Sequence, residues 1–92
     1  MQLNAIPAHA PGVVSRTMDG EAVLVHPAQG KVRVLNAVGA RIWELADGRH
    51  DIAALAQAVA DEYGVPLART EADVDAFCYD LVGRGVMVWA PA

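Results

Sequence analysis

Side chains able to do chemistry are few and widely spaced in this chain. Its only cysteine is Cys78, and its three histidines, His9, His26 and His50, fall in different segments. A single cysteine excludes an internal disulfide and any paired-cysteine metal or redox motif. The sequence also lacks a glycine-rich phosphate loop, a nucleophile elbow and the paired-histidine motif of zinc proteases. We therefore expect a protein that is not an enzyme and that needs no cofactor.

The residues Asp47, His50 and Asp51 form the one short cluster with metal-ligand side chains. A glycine-containing loop that leads into a helix cap has the same composition, so we predict no metal site here. Cys78 falls on an apolar helical stripe, and no histidine, lysine or arginine lies one turn away to lower the pKa of its thiol. A buried structural thiol is therefore favoured over a reactive one.

The composition is that of one small domain without affinity for polyanions. The chain has 92 residues, of which 54% are hydrophobic, and seven basic against eleven acidic side chains give a formal net charge of −4. This balance predicts no general attraction to nucleic acid or anionic lipid. There is no signal-peptide pattern, and no apolar run approaches the roughly 20 residues of a membrane span. We expect a cytoplasmic protein with no membrane partner, whose thin core would permit a homodimer.

Three short strands are predicted in the N-terminal half. The β-prone run Val13–Thr17 and the almost continuously apolar run Ala22–His26 are separated by Asp19-Gly20, a strong signal for a two-residue turn. Basic and aliphatic residues alternate in Lys31–Leu35, which indicates one buried and one exposed face. The apolar run is therefore expected in the middle of a sheet and the alternating run at its edge.

The two ends of the chain give weaker signals. Residues 1–12 contain two prolines and show no periodicity, so we expect an extended or frayed lead-in. A single domain is predicted over residues 13–90. Its last short strand is predicted at Val86–Trp89, after the final helix.

Three helices are predicted from capping residues and apolar periodicity. Asn36 caps the first helix, which ends before Asp47-Gly48. Asp51 caps the second, and Gly64 supplies its C-terminal residue. The third helix is predicted to open at Thr70–Asp73 as a variant of the capping box. The predicted core stripes of the first two helices are Val38, Ile42 and Leu45, and Ile52, Leu55, Val59 and Tyr63.

This order of elements indicates an α+β fold of the winged helix-turn-helix type, with a three-stranded antiparallel N-terminal sheet followed by three helices. A winged-helix DNA-binding transcription regulator is therefore an alternative to consider. The third helix carries Glu71, Asp73, Asp75 and Asp80 against Arg84. Phosphates would repel these carboxylates, whereas a recognition helix normally presents cationic or amide side chains. Nucleic acid is therefore disfavoured as a partner.

Recognition of a polypeptide fits the same elements better. An extended peptide can add to a free strand edge such as Lys31–Leu35 by main-chain hydrogen bonds. The third helix has a predicted core stripe of Val74, Phe77 and Leu81, and a second stripe of Asp75, Cys78, Tyr79 and Val82. The second stripe would either contact a ligand or widen the core-facing surface. In the latter case Lys31 and Arg33 simply shield the edge, and the pattern favours neither reading.

A series of short motifs in a fixed order spans nearly the whole chain. They are Ala22-Val23-Leu24-Val25-His26-Pro27, Gly30-Lys31-Val32, Leu35-Asn36-x-x-Gly39-x-x-Ile42-Trp43-Glu44-Leu45-x-Asp47-Gly48, Ile52-x-x-Leu55-Ala56, Tyr63-Gly64 and Asp73-Val74-x-x-Phe77-x-x-x-Leu81-x-x-x-Gly85. Each motif is weak alone, but their order and spacing together are specific. From about Val13 to Val88 the chain resembles the PqqD family.

The resemblance implies a small winged helix-turn-helix that acts as a RiPP recognition element, a peptide chaperone for ribosomally made, post-translationally modified peptides. In that family the leader of the precursor peptide adds as an antiparallel strand to the third strand and lies against the third helix. A maturation enzyme is the second implied partner, such as a radical SAM protein in pyrroloquinoline quinone (PQQ) biosynthesis, a leader peptidase or a cyclase. The peptide-binding residues implied by position are Lys31, Val32, Arg33, Val34, Leu35, Asp75, Cys78, Tyr79 and Val82.

The charges on the edge strand give one further hypothesis. Lys31 and Arg33 would complement an acidic element in the bound peptide. The signature itself is shared by PqqD-like domains in general, so the precursor, the partner enzyme and the product stay open.

Overall fold

The computed structural model describes residues 2–91 and shows an α+β arrangement of strands and helices. In chain order the elements are β1 (Ile6–His9), β2 (Val14–Met18), β3 (Glu21–His26), β4 (Lys31–Leu35), α1 (Ala37–Leu45), α2 (Ile52–Tyr63), α3 (Leu67–Gly83) and β5 (Met87–Ala90). A 3₁₀ turn at Pro27–Gln29 connects β3 to β4. The strands form a three-stranded sheet of order β2-β3-β4 and a two-stranded sheet of β1 and β5.

The three-stranded antiparallel sheet before the helices is confirmed. β3 lies in the middle and β4 at one edge, as the apolar and alternating runs predicted. Asp19 and Gly20 have positive φ angles of 52° and 79°, which define the two-residue type I′ turn that Asp-Gly favours. Met18 and Glu21 therefore pair directly across this turn.

Residues 1–12 are predicted to be an extended or frayed lead-in, and their described part contains a strand, which excludes only the frayed alternative there. β1 pairs antiparallel with β5, and Pro7 lies opposite Trp89. The backbone N–H of Ile52 donates to the carbonyl of Ala5 at 3.0 Å, so the segment is also tied to the start of α2. Proline is tolerated in a two-stranded ribbon because both strands are edges. The proline that argued against a strand therefore does not exclude one.

The starts of α1 and α2 are confirmed at the predicted caps. The Asn36 side chain accepts a hydrogen bond from the N–H of Gly39 at 2.9 Å, and the Asp51 carboxylate accepts one from Ala54 at 2.8 Å. Gly64 ends α2 with a φ of 64°, a left-handed conformation that glycine adopts without strain.

The third helix begins earlier than predicted. α3 starts at Leu67, directly after Pro66, so Thr70 lies inside its first turn rather than at its cap. The Thr70 hydroxyl donates to the carbonyl of Pro66 at 2.9 Å and is thereby satisfied within the helix. A proline at the cap position supplies no side-chain acceptor, which is why the capping pattern pointed to the later threonine.

The buried face of α1 is rotated relative to the predicted stripe. Ile42 is buried as expected, but Val38 is exposed and Leu45 is only partly buried. Trp43 is buried instead, and its indole stacks on the His9 ring with 3.6 Å between ring centroids. The β1 strand, which the sequence did not reveal, supplies that partner.

The predicted burial of Val74, Leu81 and the Cys78 thiol on α3 is confirmed, and the core face differs from the prediction at Phe77. Val74, Cys78 and Leu81 are fully buried, whereas Phe77 is only partly buried against the core. In α2 the predicted Ile52, Leu55 and Val59 are all buried, while Tyr63 is exposed. None of the helices within residues 2–91 is long and apolar enough to cross a membrane.

Replacing the α1 cap, Asn36→Ala, should lower the free energy of unfolding by about 1 kcal/mol, because the first-turn N–H of Gly39 loses its acceptor. Urea denaturation followed by far-ultraviolet circular dichroism measures the change. The same substitution at the exposed Asn4 serves as the matched control and should leave the midpoint nearly unchanged. Equal effects at the two positions would contradict the capping role.

Candidate binding groove between β4 and α3

β4 is a free sheet edge, and the alternation of hydrogen bonds decides which of its backbone groups face outward. The two-residue turn makes Met18 and Glu21 a hydrogen-bonded pair. Every second residue of β3 from Ala22 onward then directs its N–H and C=O toward β4, so Leu24 bonds to Arg33. The β4 residues bonded to β3 are Lys31, Arg33 and Leu35, and those with outward N–H and C=O groups are Val32 and Val34.

The side chains of β4 alternate between the two faces of the sheet. Leu35 is buried in the core, and Arg33 lies on the same face, toward α3. Val32 and Val34 lie on the other face, where they are 67% and 62% exposed. A row of unpaired backbone groups flanked by exposed valines is a template for another strand.

One flank of α3 faces β4 and forms the second wall of a groove. Asp73, Phe77, Asp80 and Arg84 recur at i, i+4, i+7 and i+11, which places them on one side of the helix. A cavity of about 350 Å³ lies between Val34 and the Asp73–Phe77 part of this wall. A smaller one of about 200 Å³ lies at the other end of β4, beside Arg84. The outward edge of β4 thus borders a partly apolar groove.

The floor of the groove depends on a close approach of α1 to α3. A Cβ atom built on Gly39 would lie 3.1 Å from the Phe77 ring and 3.3 Å from Leu35. Glycine at this position therefore allows Phe77 to settle against the start of α1 at the end of β4. The contact holds the aromatic ring at the base of the groove.

An ion pair between Arg33 of β4 and Asp80 of α3 spans the groove. Its guanidinium donates to the Asp80 carboxylate at 3.0 Å, and Arg84 donates to the same carboxylate at 3.0 Å. Arg33 is therefore already paired within the protein, and only Lys31 of the two predicted basic residues still points to an acidic peptide. The argument from charge for such a peptide is correspondingly weaker than the sequence indicated.

The residues predicted for the ligand face of α3 do not lie together on the β4 side. Cys78 is fully buried in the core, so the prediction that it contacts a ligand is wrong. The other three lie on the opposite flank: the Tyr79 ring packs at 5.0 Å on Trp89, Asp75 accepts from the backbone N–H of Gln2 at 3.4 Å, and Val82 packs against the core. The β4 residues of the predicted site, in contrast, do border the groove.

The burial of Cys78 has an electrostatic consequence. Burial disfavours the thiolate and raises the pKa of the thiol to about 12, and the nearby Asp75 carboxylate adds to the shift. A thiol with such a pKa is protonated at neutral pH and is a poor nucleophile. Cys78 is therefore a core side chain of α3.

The Asp47, His50 and Asp51 side chains serve the loop and the helix cap. The Asp47 carboxylate accepts from the Arg49 N–H and lies 2.9 Å from His50 Nδ1, and both contacts hold the pKa of Asp47 below its usual value. Asp51 caps α2. Within residues 2–91 no group of three or more such side chains is placed to hold a metal ion.

The wall formed by Asp73, Phe77 and Asp80 was missed from the sequence. The sequence places Phe77 in the core because it recurs at helical spacing with Val74 and Leu81, and it presents the aspartates as a charge that repels DNA and, for Asp73, as part of a capping box. The helical spacing of these residues was visible. The rotation of α3 was not, since it depends on Phe77 packing beside Gly39 at the margin of the core rather than inside it.

The region of the chain that matches a known family contains this groove. The family model of coenzyme PQQ synthesis protein D (PqqD) matches residues 21–87, from β3 to the start of β5. The chain belongs to the PqqD family. The matched region contains β4, α1, α2 and α3, and therefore both walls of the groove.

Two solved structures are similar over most of their length. TbiB1, in complex with the TbiA(beta) leader peptide, has 31% sequence identity and a TM-score of 0.81, covering 87% of this chain and 93% of its own. A lasso peptide synthetase B1, complexed with the leader peptide, has 26% identity and a TM-score of 0.82, covering 91% and 99%. No curated protein sequence matches the chain.

The buried position of Cys78 predicts slow alkylation. At about pH 8 the native thiol should react with iodoacetamide at least about a hundredfold more slowly than in denaturant, because it is both covered and protonated. Mass spectrometry of timed samples measures the rate. Rapid, complete alkylation of the folded protein would instead place Cys78 on an open face of α3.

Proposed function

We propose that this protein is a non-enzymatic adaptor that binds the leader of a ribosomally made precursor peptide and presents it to a maturation enzyme. The leader adds as a further antiparallel strand to the open edge of β4 and lies in the groove against α3. The modification reaction takes place on the partner enzyme, such as a radical SAM protein, a peptidase or a cyclase. We place this complex in the cytoplasm.

The observation that carries the proposal is the pair of outward backbone groups at Val32 and Val34 beside the groove. Each residue offers one N–H and one C=O, so a peptide strand gains four main-chain hydrogen bonds there. Main-chain bonds give affinity without demanding a particular sequence, and the groove supplies side-chain selection. The two leader-bound structures, which share this fold, support the same use of the chain.

The alternation of side chains along the added strand predicts which leader side chains contact each face of the groove. Alternate side chains of the leader face α3 and meet Phe77 and the Asp80 carboxylate, whereas those between them cover Val32 and Val34. We therefore expect small or aliphatic residues on one face of the leader and an apolar anchor on the other. We assign the α3 wall of the site to Asp73, Phe77 and Asp80 in place of Asp75, Cys78, Tyr79 and Val82.

We also assign the fold to the winged helix-turn-helix type. α2 and α3 pack together across the short connector after Gly64, and the β3–β4 hairpin takes the place of a wing. No observation favours the DNA-binding alternative. Arg69 of α3 and Arg84, which directly follows the helix, pair with aspartates of α3, Arg69 with Asp73 and Arg84 with Asp80. That helix therefore offers little free positive charge to phosphates.

Titration with leader peptides tests the proposal directly. The probes are synthetic peptides from the N-terminal parts of short reading frames next to the gene, together with the TbiA(beta) leader peptide; we call this set the leader panel. Saturable changes in backbone amide shifts at Lys31–Leu35 and around Phe77 are expected for at least one member. Shifts confined to other surfaces, or binding by none of the peptides, would contradict the proposal.

Replacing the outward N–H, Val34→Pro, should weaken binding of the panel peptide at least about tenfold, since one ladder donor is lost and the ring obstructs the added strand. Ser15→Pro is the matched control, because the same alternation turns the Ser15 N–H outward on the opposite edge, β2. Isothermal titration calorimetry gives both Kd values. Unchanged affinity for a folded Val34→Pro protein would refute strand addition at β4.

Substitution of the two aromatic residues of α3 tests which flank of the helix binds the peptide, since Phe77 lies on the β4 flank and Tyr79 on the opposite one. Phe77→Ala should weaken peptide binding about tenfold or more by removing the base of the groove, while Tyr79→Ala should leave the Kd within about twofold. Circular dichroism checks that both variants are folded. The reverse ranking would favour the opposite flank, which the sequence had indicated.

A further inference from the structure

Three cationic side chains meet at the Lys31 end of the groove. Lys31 and Arg33 lie on the same face of β4, because they are two residues apart, and Arg84 directly follows α3. All three border the cavity of about 200 Å³ there, whose other lining residues are Leu24, Val32 and Val86. Among the described residues, none that lines this cavity carries a carboxylate. In a protein with a formal net charge of −4, this local excess of positive charge attracts anions to one place.

A single carboxylate beside the cavity neutralises only part of this charge. Asp80 accepts from Arg33 and from Arg84, in both cases at 3.0 Å. One negative charge is therefore shared between two guanidinium groups, and Lys31 adds a further positive charge. Arg84, which the sequence did not assign to the site, thereby restores the argument from charge that the Arg33–Asp80 pair weakened.

The Arg33 guanidinium also has an unused donor. Its Nε–H is covered and has no hydrogen-bond partner among residues 2–91, and its contact with Asp80 uses a single Nη. A carboxylate that binds a guanidinium side-on accepts from two N–H groups at once, which is stronger than one contact. Because the Arg33 side chain is 36% exposed, it can turn from Asp80 toward an incoming carboxylate.

The connection before β4 packs against the turn after α3 and keeps the cationic groups together. A Cβ atom built on Gly85 would lie 3.1 Å from the side-chain amide of Gln29, so the two segments are in direct contact. The Leu81 and Val82 carbonyls in the last turn of α3 accept from backbone N–H groups of the following turn. The negative end of the helix is thus covered by its own chain and does not oppose an anion in the cavity.

We propose that this cavity binds an aspartate or glutamate side chain of the leader, at the position opposite Lys31 in the added strand. The inference rests on the proposed function. An antiparallel strand on β4 places the leader residues opposite Leu35, Arg33 and Lys31 on the α3 face, in that order along the leader. The last of these has its Cβ about 5 Å from that of Lys31 and lies diagonally from Arg33, within reach of both charges.

A carboxylate at this position fixes the register of the leader. A slip by one residue would move it to the other face of the sheet, beside the exposed Val32, where it would lose all three cationic partners. Main-chain hydrogen bonds alone would tolerate other registers. The site therefore also fixes which residue of the precursor is the first to leave the groove toward the enzyme.

The test combines removal of charge from the protein with removal of charge from the peptide. The protein variants are Lys31→Gln with Arg84→Gln, and a control, Arg16→Gln with Arg49→Gln, which changes the net charge equally at residues that do not line the cavity. The peptides are the tightest-binding member of the leader panel and versions in which each aspartate or glutamate is replaced singly by its amide. Isothermal titration calorimetry gives the Kd values, and circular dichroism checks that the variants are folded.

Amide replacement at one acidic position should weaken binding to the wild type and to the control about five- to tenfold. Nuclear Overhauser contacts should place that residue opposite Lys31. The Lys31→Gln, Arg84→Gln protein should bind the unmodified leader about five- to tenfold more weakly and should not distinguish it from the amide version. Both differences should shrink between about 0.05 and 0.5 M sodium chloride, because salt screens exposed charges.

Equal Kd values of the unmodified leader for the cavity variant and the control would overturn the carboxylate site while the proposed function stands. So would a leader without an acidic residue opposite Lys31, or one whose amide replacements all leave the Kd within about twofold. A cavity variant that still distinguishes the amide version from the unmodified leader would also overturn it. Absence of binding of any panel peptide to the wild type would overturn the proposed function and this inference together.

Discussion

The groove depends on how α3 is rotated about its own axis. Val74, Cys78 and Leu81 are fully buried, and with 3.6 residues per turn this fixes the direction of every other side chain of the helix. Phe77 and Asp80 are thereby turned toward β4, and Tyr79 is turned toward β5. If Phe77 were at the centre of the buried face, α3 would be rotated about its axis. Asp80 would then no longer face β4, and the groove would lack its present second wall.

Much of the fold follows from local signals in the sequence. The Asp19-Gly20 turn, the caps Asn36 and Asp51 and the alternation in β4 each act within a few residues, so they could be predicted and are confirmed. β1 and the rotation of α3 could not, because both are decided by contacts between distant parts of the chain. A proline-containing segment becomes a strand only when β5 pairs with it. Likewise, a small thiol occupies the core because the larger Phe77 finds space beside Gly39.

Of the candidate site, the β4 edge could be predicted from local signals, whereas the α3 wall could not, because it depends on contacts between distant residues. Strand periodicity identifies an edge and its two faces, and that part of the site rests on β4 alone. The opposite wall requires knowing which flank of a neighbouring helix meets the edge. The Arg33–Asp80 pair marks that flank, and it joins residues 47 positions apart. Both side chains are more than one third exposed, so the pair contributes only about 0.2–1 kcal/mol and a peptide can rearrange it at low cost.

The Asp19-Gly20 turn also controls a feature two strands away. It sets the hydrogen-bonding phase of β3, and the six residues of β3 carry that phase to the connection at Pro27–Gln29 and into β4. Whether the amides of Val32 and Val34 face outward therefore depends on whether β3 has an even or an odd number of residues. One residue more or fewer in β3, without a compensating bulge, would turn their amides inward and present Arg33 in their place. Strand β3 can therefore change length only by two residues at a time if Val32 and Val34 are to keep their N–H and C=O groups on the free edge of β4.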